Sequence, residues 1–161
     1  MKFEGVNEKT LVLIKPDAIQ RGLTGEVLHR FERKGLKIVG MKMMSLDEAI
    51  LREHYSHIAD KPFFPGVSAF MSSTPVIVLC LEGLEVVSAV RKIVGITKAR
   101  EAEAGSIRGD FAMSVACNVV HASDTVENAK SEVKRFFKED DIYDYSKSEF
   151  EHVYMSDELG K

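Results

Sequence analysis

An α+β chain is what the sequence predicts: a ferredoxin-like sandwich with one four-stranded antiparallel sheet and helices packed on it. Three observations lead there. Strand-like and helix-like segments alternate along the chain, beginning with a strand and ending with a helix. Long polar stretches between them, and the lack of a glycine-rich fingerprint after the first strand, disfavour a doubly wound parallel sheet. Two strand segments, Thr10–Ile14 and Val76–Leu81, are apolar without alternation, so both sheet faces must be covered, with a second copy of the chain as one candidate cover. No repeat or linker interrupts the pattern, and residues 1–161 read as a single domain.

The first strand, Thr10–Ile14, runs into Lys15-Pro16-Asp17, where proline cannot continue a ladder. Thr24 is placed to cap a helix with Val27, Leu28 and Phe31 on one face and Gly35 as its stop. Leu36–Met44 reads as the second strand, its methionines serving as core filler. Ser45-Leu46-Asp47-Glu48 matches a capping box opening a helix to about Tyr55, and Pro62–Gly66 reads as a turn. After the third strand, Val76–Leu81, a helix carries Val86, Val87, Val90, Ile93 and Val94 on one face and closes at Gly95. The polar stretch from Gly95 to Asp110 is long for a compact domain, and such connections are usually functional. A strand from about Ala112 to Val120 follows, then a helix capped by Asp124 and Glu127, then a weakly patterned acidic end.

Composition narrows the function classes. Hydrophobic residues make up 45% and charged residues 29%, the balance of a folded globular protein. The net charge of −3 argues against a dedicated nucleic-acid binder. No apolar run reaches the roughly 20 residues of a membrane span, and the N-terminal residues lack a signal peptide's apolar stretch, so a cytoplasmic protein is expected. Cys80 and Cys117, each inside an apolar run, read as buried core thiols. An acidic protein that binds polyphosphate must gather its cations locally.

With no P-loop in the sequence, phosphate binding would need discrete cationic side chains. His121 ends an apolar strand just before a helix N-terminus, where anions are favoured. A neutral imidazole there is a competent nucleophile; a strand-end histidine satisfied by backbone hydrogen bonds is the plainer alternative. Lys15 leaves the first strand before a proline, its ammonium emerging at a sheet edge. Arg108 lies between Gly105 and Gly109, either facing a ligand or pairing with Asp110. Arg91 suits its helix's C-terminal dipole. Phe63 and Phe64 are core residues or, on a loop, a stacking surface for a nucleobase. His29, His54, His57 and His152 read as structural; His54 and His57 lack a third ligand, and no protein-held metal is predicted.

These residues sit in a set of motifs: Thr10-Leu-Val-Leu-Ile-Lys15-Pro-Asp17, Gln20-Arg-Gly-Leu-Thr-Gly25-Glu26, Lys61-Pro-Phe63-Phe64, Ser106-Ile-Arg108-Gly-Asp-Phe111 and Asn118-Val-Val-His121-Ala-Ser123-Asp124. Over about residues 8 to 154 the chain resembles the nucleoside diphosphate kinases. The resemblance implies a ping-pong phosphotransferase in which His121 takes the γ-phosphate of a nucleoside triphosphate and hands it to a nucleoside diphosphate. It implies that Lys15 binds phosphate and the sugar hydroxyl, that Arg91, Thr97 and Arg108 hold the outer phosphates, and that Asn118 binds the ribose. Phe63 would stack on the base, Tyr55 would support the site, and Glu132, with Ser123, would orient His121. Mg²⁺ is implied as a cofactor arriving on the substrate phosphates. A homohexamer is implied, with a tetramer as the alternative. Two departures fall in one loop: Gly95-Ile96-Thr97-Lys98-Ala99 replaces the family's Gly-x-Thr-Asn-Pro, and Ala104-Gly105 replaces Pro-Gly. Each lost proline removes about 0.4–1 kcal/mol of loop rigidity where the backbone suited proline. The loop contributes to subunit contacts in the family, so the exchanges bear on assembly rather than chemistry. Two rivals are disfavoured: a regulatory relative without turnover, by the joint presence of His121, Lys15 and Arg108, and an RNA-binding module, by net charge and the absence of an RNP-type aromatic strand.

Overall fold

The computed structural model describes residues 8–159. Its sheet consists of β1 (Lys9–Ile14), β2 (Lys37–Met44), β3 (Val76–Glu82) and β4 (Val120–Ala122), in the spatial order β2-β3-β1-β4. Each neighbouring pair is antiparallel. The ferredoxin-like expectation therefore holds.

Helices α1 (Pro16–Gln20) and α2 (Thr24–Arg33) follow β1, and α3 (Glu48–His54) and α4 (Phe64–Met71) lie between β2 and β3. Next come α5 (Val86–Val94), α6 (Ile107–Phe111) and, after β4, α7 (Val126–Phe136). Because side chains alternate across a strand, β1 feeds two cores. Val12 and Ile14 pack with Val27, Phe31 and the valines of α5; Leu11 and Leu13 pack with Leu51, Phe64, Val133 and Phe136. The chain's own helices cover both faces, and no second copy is needed for that.

Several sequence expectations are corrected. The segment from Ala112 to Val119 is not strand: Ser114 Oγ accepts from the amides of Ala116 and Cys117, each at 3.2 Å, which coils the chain. Only Val120–Ala122 pair with β1, so His121 lies within the strand rather than after it. Cys117, carried on that coil, is exposed. Met41 and Met43 are 51% and 60% exposed, because β2 is an edge strand whose C-terminal half is left uncovered. The caps are displaced too. Leu23 rather than Thr24 precedes α2, and Asp47 rather than Ser45 caps α3 by accepting from the Ile50 amide. Thr125, rather than Asp124 or Glu127, caps α7. Pro65 sits in the first turn of α4, where its missing N–H costs nothing, so the expected turn is a helix start.

The acidic C-terminal segment is ordered along the outer side of β2. The Tyr143 amide donates to Val39 O at 2.8 Å, the Tyr145 hydroxyl to Ile38 O at 2.6 Å, and Lys147 Nζ to Leu36 O at 3.3 Å. These bonds occupy carbonyls that an edge strand would otherwise leave open. Among the described residues no helix is long and apolar enough to cross a membrane.

Candidate active site

The register of the sheet assembles the site. Leu13 of β1 pairs with His121 of β4, so the two project from the same face. Lys15, two residues beyond Leu13, follows that alternation. It directly follows β1, an interior strand rather than a sheet edge, and is 9% exposed. The cleft above them has a volume of about 680 Å³ and is lined by Lys15, Tyr55, Arg91 and Thr97. Arg108, Asn118, His121 and Glu132 of the predicted set line it as well. Phe63 is not among the lining residues; it is 57% exposed at the start of α4.

His121 Nε2 lies 3.1 Å from Glu132 Oε2, and Ser123 Oγ donates to the same oxygen at 2.5 Å. Burial acts to raise the Glu132 pKa, but the hydrogen bonds from His121 and Ser123 outweigh it and hold the group at about 2. An ionised Glu132 only accepts, so the His121 proton belongs on Nε2 and the lone pair on Nδ1.

Lys15 Nζ donates to Asn118 Oδ1 at 2.7 Å and to Ala116 O at 3.1 Å. Burial, and then the Arg108 charge, pull its pKa down from 10.5 to about 8. Asn118 is tied at its other end to Thr97 O by Nδ2 at 3.1 Å, which explains why those two residues share the cleft. Burial also pushes the Tyr55 hydroxyl up to about 12, with the Glu132 carboxylate acting in the same direction, so Tyr55 is a neutral donor at physiological pH.

Arg108 does not pair with Asp110. That carboxylate binds Arg30 Nη2 at 2.7 Å and the Gly105 amide at 2.8 Å. The Arg108 guanidinium donates instead to three carbonyls: Gly95 at 2.9 Å, Asn118 at 3.3 Å and Val120 at 2.6 Å. Of the five N–H donors of an arginine, two remain for a ligand. Burial and then the neighbouring Arg91 charge lower its pKa to about 10, which leaves it cationic at neutral pH. Ser106 caps α6 by accepting from the Gly109 amide at 3.0 Å. A methyl group at Gly109 would be driven into the carbonyl oxygen of Glu103. Gly109→Ala is therefore expected to lower stability by about 1–3 kcal/mol and to weaken phosphate binding by displacing Arg108. Urea unfolding and diphosphate titration of the variant measure both.

Sequence reasoning missed three features. Val119 has φ +74°, a strained backbone for a β-branched residue, costing on the order of 1–3 kcal/mol. Its amide donates to Asp17 Oδ2 at 3.0 Å and its carbonyl accepts from the Lys15 amide at 2.9 Å, so the Lys15-Pro16-Asp17 segment holds the strained residue two positions before His121. The Asp17 carboxylate was visible only as part of a motif. The third is His54, which was expected to be structural and lines the cleft against the His121 ring.

One set of three potential ligand groups, His54, His121 and Glu132, has atoms within 4.8 Å of one another. Two imidazoles and one carboxylate do not suit Mg²⁺, which prefers an octahedron of oxygens. The four cations lining the cleft, Lys15, Arg91, Arg108 and Arg135, suit polyphosphate instead.

The model of the family described as Nucleoside diphosphate kinase matches residues 8–142. The chain belongs to the nucleoside diphosphate kinase family. A nucleoside diphosphate kinase from Parabacteroides distasonis is 52% identical over 152 residues, covering 94% of this chain and 99% of the relative. One from Pyrococcus abyssi is 48% identical over 149 residues, 91% of this chain and 94% of the relative. Among solved structures, a halophilic nucleoside diphosphate kinase from Halobacterium salinarum in complex with CDP superposes with a TM-score of 0.90 at 40% identity, covering 92% of this chain and 99% of that one. A nucleoside diphosphate kinase family protein from Babesia bovis gives a TM-score of 0.88 at 39% identity, covering 91% and 99%.

Proposed function

We propose that this member of the nucleoside diphosphate kinase family, a phosphotransferase, moves the γ-phosphate of a nucleoside triphosphate to a nucleoside diphosphate by a ping-pong route through His121. The observation that carries the proposal is the His121 imidazole, held by Glu132 at Nε2 with Nδ1 left for chemistry, in a cleft lined by Lys15, Arg91 and Arg108.

In the first half-reaction Nδ1 attacks the γ-phosphorus in line. The N–P bond forms, the P–O bond to the β-phosphate oxygen breaks, and its electron pair leaves on the diphosphate. The proton stays on Nε2, and the ionised Glu132 that accepts from it stabilises the positive charge that develops on the ring. Phosphoryl transfer has a loose transition state, so positioning and charge stabilisation supply most of the rate. Lys15, Arg91 and the two remaining Arg108 donors meet the phosphate oxygens, with Thr97 beside them. Asn118 and Lys15 bind the ribose, and Tyr55 supports the wall. Part of the phosphate charge would be neutralised by Mg²⁺ arriving with the substrate rather than held by protein ligands. The second half-reaction reverses these steps with a new diphosphate.

Both halves are separable by experiment. Protein incubated with ATP and stripped of nucleotide should convert added CDP to CTP with no further donor, up to one equivalent per chain. No CTP in that second step would reject the ping-pong route. Phe63, at the start of α4, is assigned to stack on the base without reading it. Phe63→Ala is expected to weaken all nucleoside diphosphates alike, by about 1–3 kcal/mol. Calorimetric titration with each base tests this, and a loss confined to one base would instead indicate hydrogen-bond readout. The whole chain acts as one domain in this scheme, a cytoplasmic enzyme assembled as a homohexamer, or as a tetramer if Ala99 and Ala104 weaken the loop contacts.

A further inference from the structure

His54 has no part in the scheme above, yet among the described residues its ring packs against the nucleophile more closely than that of Tyr55 does. It closes the last turn of α3, is 6% exposed, and its ring stands edge-on to the His121 ring with centroids 4.5 Å apart and planes at 78°. Tyr55 at 4.8 Å and Phe136 at 5.2 Å meet the same imidazole, at 75° and 82°. Edge-to-face geometry of this kind fixes ring planes as well as excluding water.

The His54 ring is itself anchored. Arg135 Nη1 lies 3.2 Å from His54 Nδ1, and a guanidinium can only donate, so Nδ1 carries the lone pair and Nε2 the proton. Arg135 is held in turn by Glu53 through Nε at 2.9 Å. Helix α7 thus reaches the catalytic region twice on one face, with Glu132 on the His121 nitrogen and, three residues on, Arg135 on the His54 nitrogen. Burial, with the His121 charge next, holds the His54 pKa down to about 3, so the ring is a neutral wall rather than a second charge. Its Nε2 is buried without a hydrogen-bond partner among the described residues. A buried N–H left unsatisfied is costly, and an apolar side chain of similar shape would remove that cost if packing were its only task.

We propose that His54 is a positioning residue: its anchored ring confines the His121 imidazole to the one orientation that gives Nε2 to Glu132 and Nδ1 to the phosphate. The inference rests on the phosphohistidine route proposed above. Glu132 fixes one nitrogen by a single bond about which the ring can still swing, and His54 closes off the rotation that would exchange the two nitrogens.

The test reads where the phosphate lands. The full-length protein is phosphorylated with ATP in a single turnover, and ³¹P and ¹⁵N resonances assign the phosphate to Nδ1 or Nε2. Wild type should carry it on Nδ1 alone. His54→Asn keeps an acceptor for Arg135 but removes the ring edge that meets His121. It should phosphorylate roughly tenfold to hundredfold more slowly, distribute the phosphate over both nitrogens, and bind nucleoside diphosphate as wild type does. His54→Phe, which restores a ring, should recover the single isomer. If His54→Asn does not fold, His54→Leu, an apolar side chain without a flat ring, is assayed in the same way. A single Nδ1 isomer at the wild-type rate in the ringless variant overturns the proposal, as does a parallel loss of rate and binding with no change of isomer. A wild-type protein that takes no label at all would overturn the phosphohistidine route and this inference with it.

Discussion

His121→Ala is expected to retain no label after incubation with γ-labelled ATP and removal of free nucleotide, and to lose exchange by on the order of 10⁴-fold or more. The magnitude follows from the role. The neighbouring groups are already engaged: Glu132 is bound to Ser123, Lys15 to Asn118 and Ala116, and His54 Nδ1 to Arg135. Direct transfer between two bound nucleotides would require both phosphate chains to fit one site. The fold should survive, because His121 is one of only three residues in β4 and the neighbouring Val120 and Ala122 carry the apolar packing. Nucleotide binding should survive as well, since Arg91, Arg108 and Thr97 are untouched. The wild-type label should be acid-labile and base-stable, as a phosphoramidate is. A variant that labels normally would rule out His121 as the acceptor.

How far these assignments were legible in the sequence depended on the kind of residue. The apolar runs of β1 and β3, the periodic faces of α5 and α7, and the glycine at the end of α5 place themselves, because burial and helix periodicity leave a pattern in consecutive positions. Segment 112–119 misled for a physical reason. Its apolar residues suggest a strand, but a hydroxyl at Ser114 and a left-handed Val119 divert the backbone, and neither effect has a sequence period. For Arg108 the sequence leaves open a ligand or Asp110, two residues away; the choice is decided by Arg30 of α2, which takes Asp110 in a contact spanning 80 residues. His54 was set aside for the same cause. One histidine on a helix carries no signal until the sheet register and α7 bring His121, Glu132 and Arg135 around it. The cluster of cations came from motif resemblance; its electrostatic consequence came only from burial.

That consequence is sharpest at Lys15. Its ammonium is charged at neutral pH in both the folded and the unfolded chain, while burial beside Arg108 lowers its folded pKa from 10.5 to about 8. Between those values the unfolded chain holds a proton that the folded chain has released, so stability rises with pH across that window. Below it the buried charge is a standing cost of about 3 kcal/mol. Lys15→Met removes the charge and keeps the stem, but leaves Ala116 O and Asn118 Oδ1 without their donor. The variant should therefore be about as stable as wild type, or more so, in urea at neutral pH, while turnover falls roughly 10²- to 10³-fold and diphosphate affinity changes far less. Equal losses in turnover and affinity would mean that Lys15 binds ground state and transition state alike. The same lowered pKa sets the pH profile. In the free enzyme the ammonium is lost as pH rises through about 8, so kcat/KM should fall on that limb. A bound phosphate favours the charged form and moves the fall in kcat to higher pH. A wild-type kcat/KM that stays level well above pH 8 would show that the Lys15 charge is not used in the transition state.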